Sequence, residues 1–260
     1  IEYAAGLPWW QRLAAPTVGG LIVGLFIHHF VPGRRPVAVP QVMEASALHG
    51  AKMSLTQGIR GAIANAATLG FGGSAGREGP IVHLGATIGS RIAKSMQLPR
   101  NHARTLLACG IAGAVAASFN APLAGVFFSL EVVIGHYALT AFAPIVVASL
   151  VATVISRWMY GDFPAFIIPS YEFSNLEFPA FALVGVAAAI LAVAFIRTVS
   201  LVEDAMERLP VPVWFRPSIG GLGVGLIAIA FPEVLGVGYG TTDDALKGEL
   251  ALWLLLALIV

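Results

Sequence analysis

The stretch Gly73-Ser74-Ala75-Gly76-Arg77-Glu78-Gly79-Pro80 sets an acid among glycines and just ahead of a proline. The rest of the chain has the composition of a membrane protein, and a carboxylate at bilayer depth costs several kcal/mol on insertion scales. Glycine frees the backbone to present its N–H groups. Pro80 suits the first turn of a helix, where its missing donor costs nothing. The apolar run 81–92 reads as that helix. A helix N-terminus aimed into a cavity attracts anions. Glu78 stands at the same place, so its carboxylate can itself occupy an anion site.

Working outward, the 260 residues are 57% hydrophobic and only 11% charged. Soluble domains carry about 25% charged residues, so the fold class is all-α integral membrane. The 29 glycines and 16 prolines are too many for plain spanning helices. They imply the broken and re-entrant helices with which transporters line a cavity. A net charge of +1 gives no basic field for nucleic acid. The single cysteine, Cys109, excludes an internal disulfide and reads as small core filler. There is no Cys/His cluster at zinc spacing, and adjacent His28 and His29 do not share a helix face. No nucleophile–base pair suggests a membrane-embedded enzyme. Neither a metal nor a cofactor is expected.

Apolar stretches predict helices near 16–30, 58–70, 81–96, 103–118, 122–136, 139–160, 179–209, 217–231 and 246–260, several too short to cross a bilayer unaided. Breaks fall at 71–79, at Asn120-Ala121-Pro122 and at 210–212. The segment 161–178, with Tyr171, Glu172, Asn175 and Glu177, reads as an external loop. Arg34, Arg35, Arg91, Lys94, Arg100 and Arg104 favour a cytoplasmic placement of their loops. The charged end of the long helix, 203–208, is expected to enter water. Trp158 and Tyr160 read as membrane-surface anchors. One internal repeat is visible: P-x-x-G-G-L-x-V-G-L occurs from Pro16 to Leu25 and again from Pro217 to Leu226, an offset of 201 positions. Small residues recur in packed membrane helices, but a duplicated architecture is the fuller explanation. The chain starts at Ile1 without a methionine and ends inside an apolar run, so it is expected to be part of a longer protein.

With these residues in view the sequence resembles the CLC family of chloride channels and proton-coupled chloride transporters. The resemblance rests on Gly76-Arg77-Glu78-Gly79-Pro80, on Thr105-Leu106-Leu107-Ala108, on Phe119-Asn120-Ala121-Pro122-Leu123-Ala124-Gly125 and on Pro232-Glu233-Val234-Leu235-Gly236. It implies an inverted-repeat α-helical fold, a multi-pass protein of a plasma or inner membrane, and a homodimer with one pore per subunit. Residues 1–209 would hold most of the first repeat and the long first helix of the second. Residues 210–260 would continue the second, and the remaining transmembrane part would lie outside this chain. Helices 122–136 and 139–160 would form half of the dimer interface. The transported species would be chloride or a similar small monovalent anion.

The resemblance makes Glu78 the gate, its carboxylate competing with chloride. The amides of Arg77, Glu78 and Gly79 would cradle the anion, and Arg77 would add positive potential to the pore mouth. The alternative for Glu78 is a structural acid paired with Arg77. Two departures matter. The family's first motif is usually G-S-G-I-P, with the serine hydroxyl donating to the central chloride. The matching stretch here is Pro36-Val37-Ala38-Val39-Pro40, followed by Gln41. Val37 has no donor, which forfeits about 1.5–3 kcal/mol for a bond to a charged partner; the backbone N–H groups of Ala38 and Val39 remain. Val37 is also readable as a plain packing residue, and the two readings are compatible. Second, proton-coupled members carry two consecutive acids after the asparagine motif. Glu131 matches the first and reads as structural, but Val132 fills the proton-transfer position. Valine carries no proton, and nothing places Glu44 to substitute. The sequence therefore reads as a passive, voltage- or pH-gated anion channel, with a proton–chloride antiporter of the same fold as the alternative.

Overall fold

Small residues decide how these helices meet. The computed structural model describes residues 6–34, 37–135, 139–163, 166, 174 and 177–259, and no strand occurs among them. Eleven helices are used here: α1 (Trp9–Phe30), α2 (Val39–Ala47), α3 (Leu55–Gly70), α4 (Glu78–Ser95), α5 (Arg100–Phe119), α6 (Pro122–Phe128), α7 (Leu139–Tyr160), α8 (Phe178–Arg208), α9 (Arg216–Ala230), α10 (Tyr239–Leu246) and α11 (Leu252–Ile259). Among the described residues five segments are long and apolar enough to cross a membrane: α1, α5, α7, α8 and the stretch Val213–Ala230 containing α9. The helices α3 and α4, with 16 and 18 residues, fall short of the roughly 20 that a full span needs.

The repeated sequence forms a reciprocal seam between α1 and α9. A Cβ on Gly20 would collide with the carbonyl of Pro217, and a Cβ on Gly221 would collide with the carbonyl of Pro16. Ser218 Oγ donates to the Thr17 carbonyl at 2.9 Å. Backbones can approach this closely only where side chains are absent. The α4–α5 pair uses the same device: a Cβ on Gly85 meets the Gly110 carbonyl, and one on Gly110 meets that of Gly85. Leu107 and Ile111 of α5 pack with Val42 of α2 and with Val82 and Ala86 of α4 in one buried cluster. Ala108 and Ala112 turn the other way, onto Val126, Leu130 and Ile145. So α5 is the central post between α4 and α6–α7.

Several expectations need correcting. The short helices α2 and α10 are not among the predicted ones, and the last predicted helix begins at Leu252. The predicted helix 122–136 stays α-helical only to Phe128; Ser129–Ile134 is a π-helical turn ending at left-handed Gly135, with φ 76°. His136, Arg35, Pro36, Tyr171, Glu172 and Asn175 lie outside the described residues. Arg100 and Arg104 are engaged with backbone. Arg100 Nη2 donates to the Ala47 carbonyl at 2.6 Å, and Arg104 Nη2 to that of Ile134 at 3.3 Å. Cations there complement the negative ends of helices.

Candidate anion site

The glycine–acid loop is built from backbone hydrogen bonds. At the end of α3, Gly72 turns the chain with φ +81°, where a side chain would be strained. The Gly73 N–H donates to the Thr68 carbonyl at 2.8 Å, and Asn65 Nδ2 donates to the Gly76 carbonyl at 3.1 Å. From the stretch after α9, the Gly236 carbonyl accepts from the Ala75 N–H at 3.3 Å. The loop therefore delivers Glu78 as the first residue of α4, three residues earlier than the apolar run suggests.

Two helix N-termini face each other at this point. Ala38, extended at φ −151° and ψ 178°, is the N-cap of α2. A Cβ placed on Gly79 would lie 3.6 Å from Ala38 Cα. Between them opens a cavity of about 390 Å³. Ile27 and Val31 line one wall, while Val37 and Ala38 lead into α2. Gly61, Ala64, Asn65 and Thr68 come from α3, and Ala75, Gly76, Glu78, Gly79 and Pro80 from the loop and α4. The Glu78 side chain folds over Gly76, where a Cβ would strike Oε2. The N-terminal residues of two helices thus border one space, lined also by a carboxylate, and helix N-termini favour small anions.

The predicted residues divide. Val37, Ala38, Glu78 and Gly79 come together around the cavity. Val37 is 5% exposed and packs its γ-carbons on Gly61 of α3. Val39 does not line the cavity; it packs on the core around Val42 and Leu107. Arg77 is not among the residues that line this cavity. Its guanidinium donates to the Ser118 carbonyl at 3.2 Å and lies 4.9 Å from the Tyr239 ring centre and 5.9 Å from that of Phe119. It borders a second cavity, of about 760 Å³, together with Asn120, Tyr160 and Tyr239. Arg77 and Glu78 form no ion pair; among the described residues the ion pairs are Arg157–Asp162 and Lys247–Asp243. Glu131 is exposed on the π-helical turn, and Val132 packs against the core. Glu44 is exposed on α2 and does not line the cavity. No group of three or more His, Cys, Asp or Glu residues suited to a metal ion occurs among the described residues.

Three neighbours of the site were not read from the sequence. Asn65 pins the loop, and Gly61 makes room for Val37. Gln41 accepts the Ala38 N–H through Oε1 at 2.6 Å. Its position three residues after the N-cap is the capping-box spacing and was available as a signal.

Comparison with known proteins agrees with this architecture. A family profile described as voltage gated chloride channel matches residues 19–260. A putative chloride channel protein ClcB-like of Ralstonia nicotianae is 32% identical over 265 residues, covering all of this chain and 62% of the relative. Chloride channel protein CLC-e of Arabidopsis thaliana is 30% identical over 259 residues, covering 95% of this chain and 36% of the relative. Among solved structures, a slow cyanobacterial Cl−/H+ antiporter superposes with a TM-score of 0.80 at 20% identity, over 99% of this chain and 62% of that one. A CLC-type fluoride/proton antiporter gives a TM-score of 0.73 at 25% identity, over 95% and 72%. The chain thus spans about three fifths of the length of its Ralstonia relative. On the profile match and the shared fold, this chain is a multi-pass, all-α membrane protein of the voltage gated chloride channel (CLC) family.

Proposed function

We propose that this chain forms the gated half of a passive pore for chloride or a similar small monovalent anion, with Glu78 as the gate. The observation that carries the reading is Glu78, an exposed acid at the first position of α4, lining a cavity that Ala38, the N-cap of α2, also lines. An anion and a carboxylate satisfy the same helix-end N–H groups, so one excludes the other. Protonation removes the charge and the competition. On this reading the anion meets the amides of Glu78 and Gly79 and that of Ala38. Arg77 acts through the loop it anchors. The two-repeat division at 1–209 and 210–260 belongs to the same proposal and is supported by the reciprocal α1–α9 seam. So does a homodimer through α6 and α7, which leave Leu123, Phe127, Val147 and Val154 exposed.

Passive conduction is favoured over exchange because Val132, at the position where the family's proton carrier would stand, packs on the core and titrates nothing. The second reading is a proton–anion antiporter, favoured by the names of both structural neighbours. Flux from sealed liposomes separates the two. A channel passes chloride down its gradient with no stoichiometric proton movement; steady proton uptake driven by a chloride gradient selects the antiporter. In the same assay Glu78→Gln is expected to keep anion flux and lose most of its pH dependence. Gating that follows pH as in the wild type would remove Glu78 from the role.

A further inference from the structure

At the end of α5 opposite the Ser118–Arg77 contact lies an open cleft of about 750 Å³, lined by Leu48, His49, Gly50, Lys52, Leu98 and Arg100. No acid lines it; Glu44, one turn before Leu48, does not. The ion pairs among the described residues lie elsewhere. The backbone beneath the cleft is anchored. Ala51 is 2% exposed, and its N–H donates to the Ala45 carbonyl at 2.8 Å. The Met53 N–H donates to Ser90 Oγ at 2.8 Å, and Met53 packs on the core. Lys52 stands exposed between these two anchors. Arg100, held by the Ala47 carbonyl, runs past Gly50, where a Cβ would lie 3.7 Å from its Cγ. Leu98 packs on the core, while Leu48 is 71% exposed. The cleft stands at the level of a membrane surface. Arg100 is the first residue of α5, a candidate span of 20 residues. At 1.5 Å per residue that helix is about 30 Å long, the thickness of the hydrocarbon core, so its first residue meets the phosphate layer.

We propose that this cleft binds the headgroup of an anionic phospholipid, with its phosphate against Lys52 and Arg100 and an acyl chain along Leu48 and Leu98. Cations without a carboxylate beside them, set at the depth of lipid phosphates, attract anionic headgroups. Arg91 and Lys94, exposed on α4, add positive charge at the same end of the bundle. Basic residues favour the cytoplasmic leaflet for this end, and that leaflet carries the anionic lipids. A free phosphate would satisfy the cations and leave Leu48 bare; a lipid covers both. The site needs only the membrane location of the chain, so it stands apart from the pore reading. A lipid seated there bridges the end of α2 and the start of α5 and stabilises the fold by mass action.

The test is a lipid titration of the purified full-length protein in detergent, followed by native mass spectrometry and by thermal unfolding. The probes are phosphatidylglycerol, phosphatidylcholine and soluble glycerol phosphate. Phosphatidylglycerol is expected to bind and raise the melting temperature, and phosphatidylcholine to bind at least about fivefold more weakly. Glycerol phosphate in large excess should not displace the lipid. Lys52→Gln should weaken phosphatidylglycerol about fivefold, and Leu48→Gln about three- to tenfold. Arg91→Gln removes a cation from the same end but outside the cleft, and should stay within about twofold of wild type. Arg100 also holds the Ala47 carbonyl, so the exposed Lys52 carries the decision. A Lys52→Gln protein that binds like wild type overturns the proposal. So does an Arg91→Gln loss as large as that of Lys52→Gln, which would make the attraction a diffuse basic face. Equal affinity for phosphatidylcholine overturns the anionic headgroup, and displacement by glycerol phosphate would assign the cleft to free phosphate instead.

Discussion

Replacing Gly61 by alanine should push Val37 into the anion cavity, and shortening Val37 should undo the damage. A Cβ on Gly61 would stand 2.8 Å from Val37 Cγ1 and nearer still to Cγ2, where ordinary contact begins at 3.4 Å. The valine must then retreat by at least about 0.6 Å at Cγ1, and more at Cγ2. Valine is stiff at χ1, so rotation relieves little of this. Val37 is 5% exposed and its free side is the cavity, so the retreat narrows the space beside Ala38 and Glu78. Overpacking of this kind costs about 1–3 kcal/mol. Val37→Ala alone removes two buried methyls, worth about 1.6 kcal/mol at 0.8 per carbon, with a cavity term added. In the double variant both γ-carbons are gone and only Val37 Cβ remains close, at 3.0 Å, which a shift of a few tenths of an ångström relieves. The pair should therefore cost about 1–2 kcal/mol less than the sum of the singles. The measurements are a thermal unfolding cycle in detergent and chloride flux from liposomes. Gly61→Ala should lower both, and adding Val37→Ala should restore flux. Additive stabilities, or a Gly61→Ala protein with unchanged flux, would refute the claim that Val37 is the wall between α3 and the cavity.

Three further outcomes follow from the same geometry. Val37→Ser should tighten chloride binding, by about tenfold if the hydroxyl reaches the anion; calorimetry with no gain would mean that the side chain at 37 stays turned to Gly61. Gly20→Ala and Gly221→Ala should each cost about 1–3 kcal/mol of stability. Their double variant should cost little more than one of them, because a single separation of α1 from α9 relieves both collisions; full additivity in melting experiments would count against the reciprocal seam. Arg77→Lys should destabilise by about 1–2 kcal/mol through loss of the planar stack on Tyr239 and of the bond to Ser118. Its chloride affinity should stay within about twofold of wild type in the same calorimetric titration, and a large loss would return Arg77 to the anion.

The start of α4 was legible because its signal is local. Gly79 and Pro80 directly after an acid specify a helix start, and Glu78 is indeed the first residue of α4. What lay hidden depends on long-range packing. No helix was predicted between 30 and 58, yet Val39–Ala47 is one because Val42, Ala45 and Ser46 are covered by the rest of the fold. Nine residues carry too few apolar repeats to announce that. The direction of Arg77 depends on Phe119, 42 positions away, and on Tyr239 at the start of α10. No spacing rule reaches so far. The π-helical turn at Ser129–Ile134 is a change of hydrogen-bond register, to which the apolar pattern is blind.

The repeat was legible as a pattern, but its consequence needed coordinates. An offset of 201 positions separates Pro16 from Pro217 and Gly20 from Gly221, and each glycine receives the other copy's proline carbonyl. A contact that maps onto itself when the copies are exchanged is what a local two-fold relation requires. The hydrogen bonds depart from that symmetry: Ser218 donates across the seam to Thr17, while Thr17 donates within its own helix to Leu13. The same two segments hold opposite sides of the anion site. Helix α1 and its C-cap supply Ile27 and Val31 to the cavity wall, and the stretch after α9 ties Gly236 to Ala75 in the glycine–acid loop. A displacement at the seam therefore moves the wall and the loop against each other. The glycines that pack the two copies also set the width of the cavity that Glu78 lines.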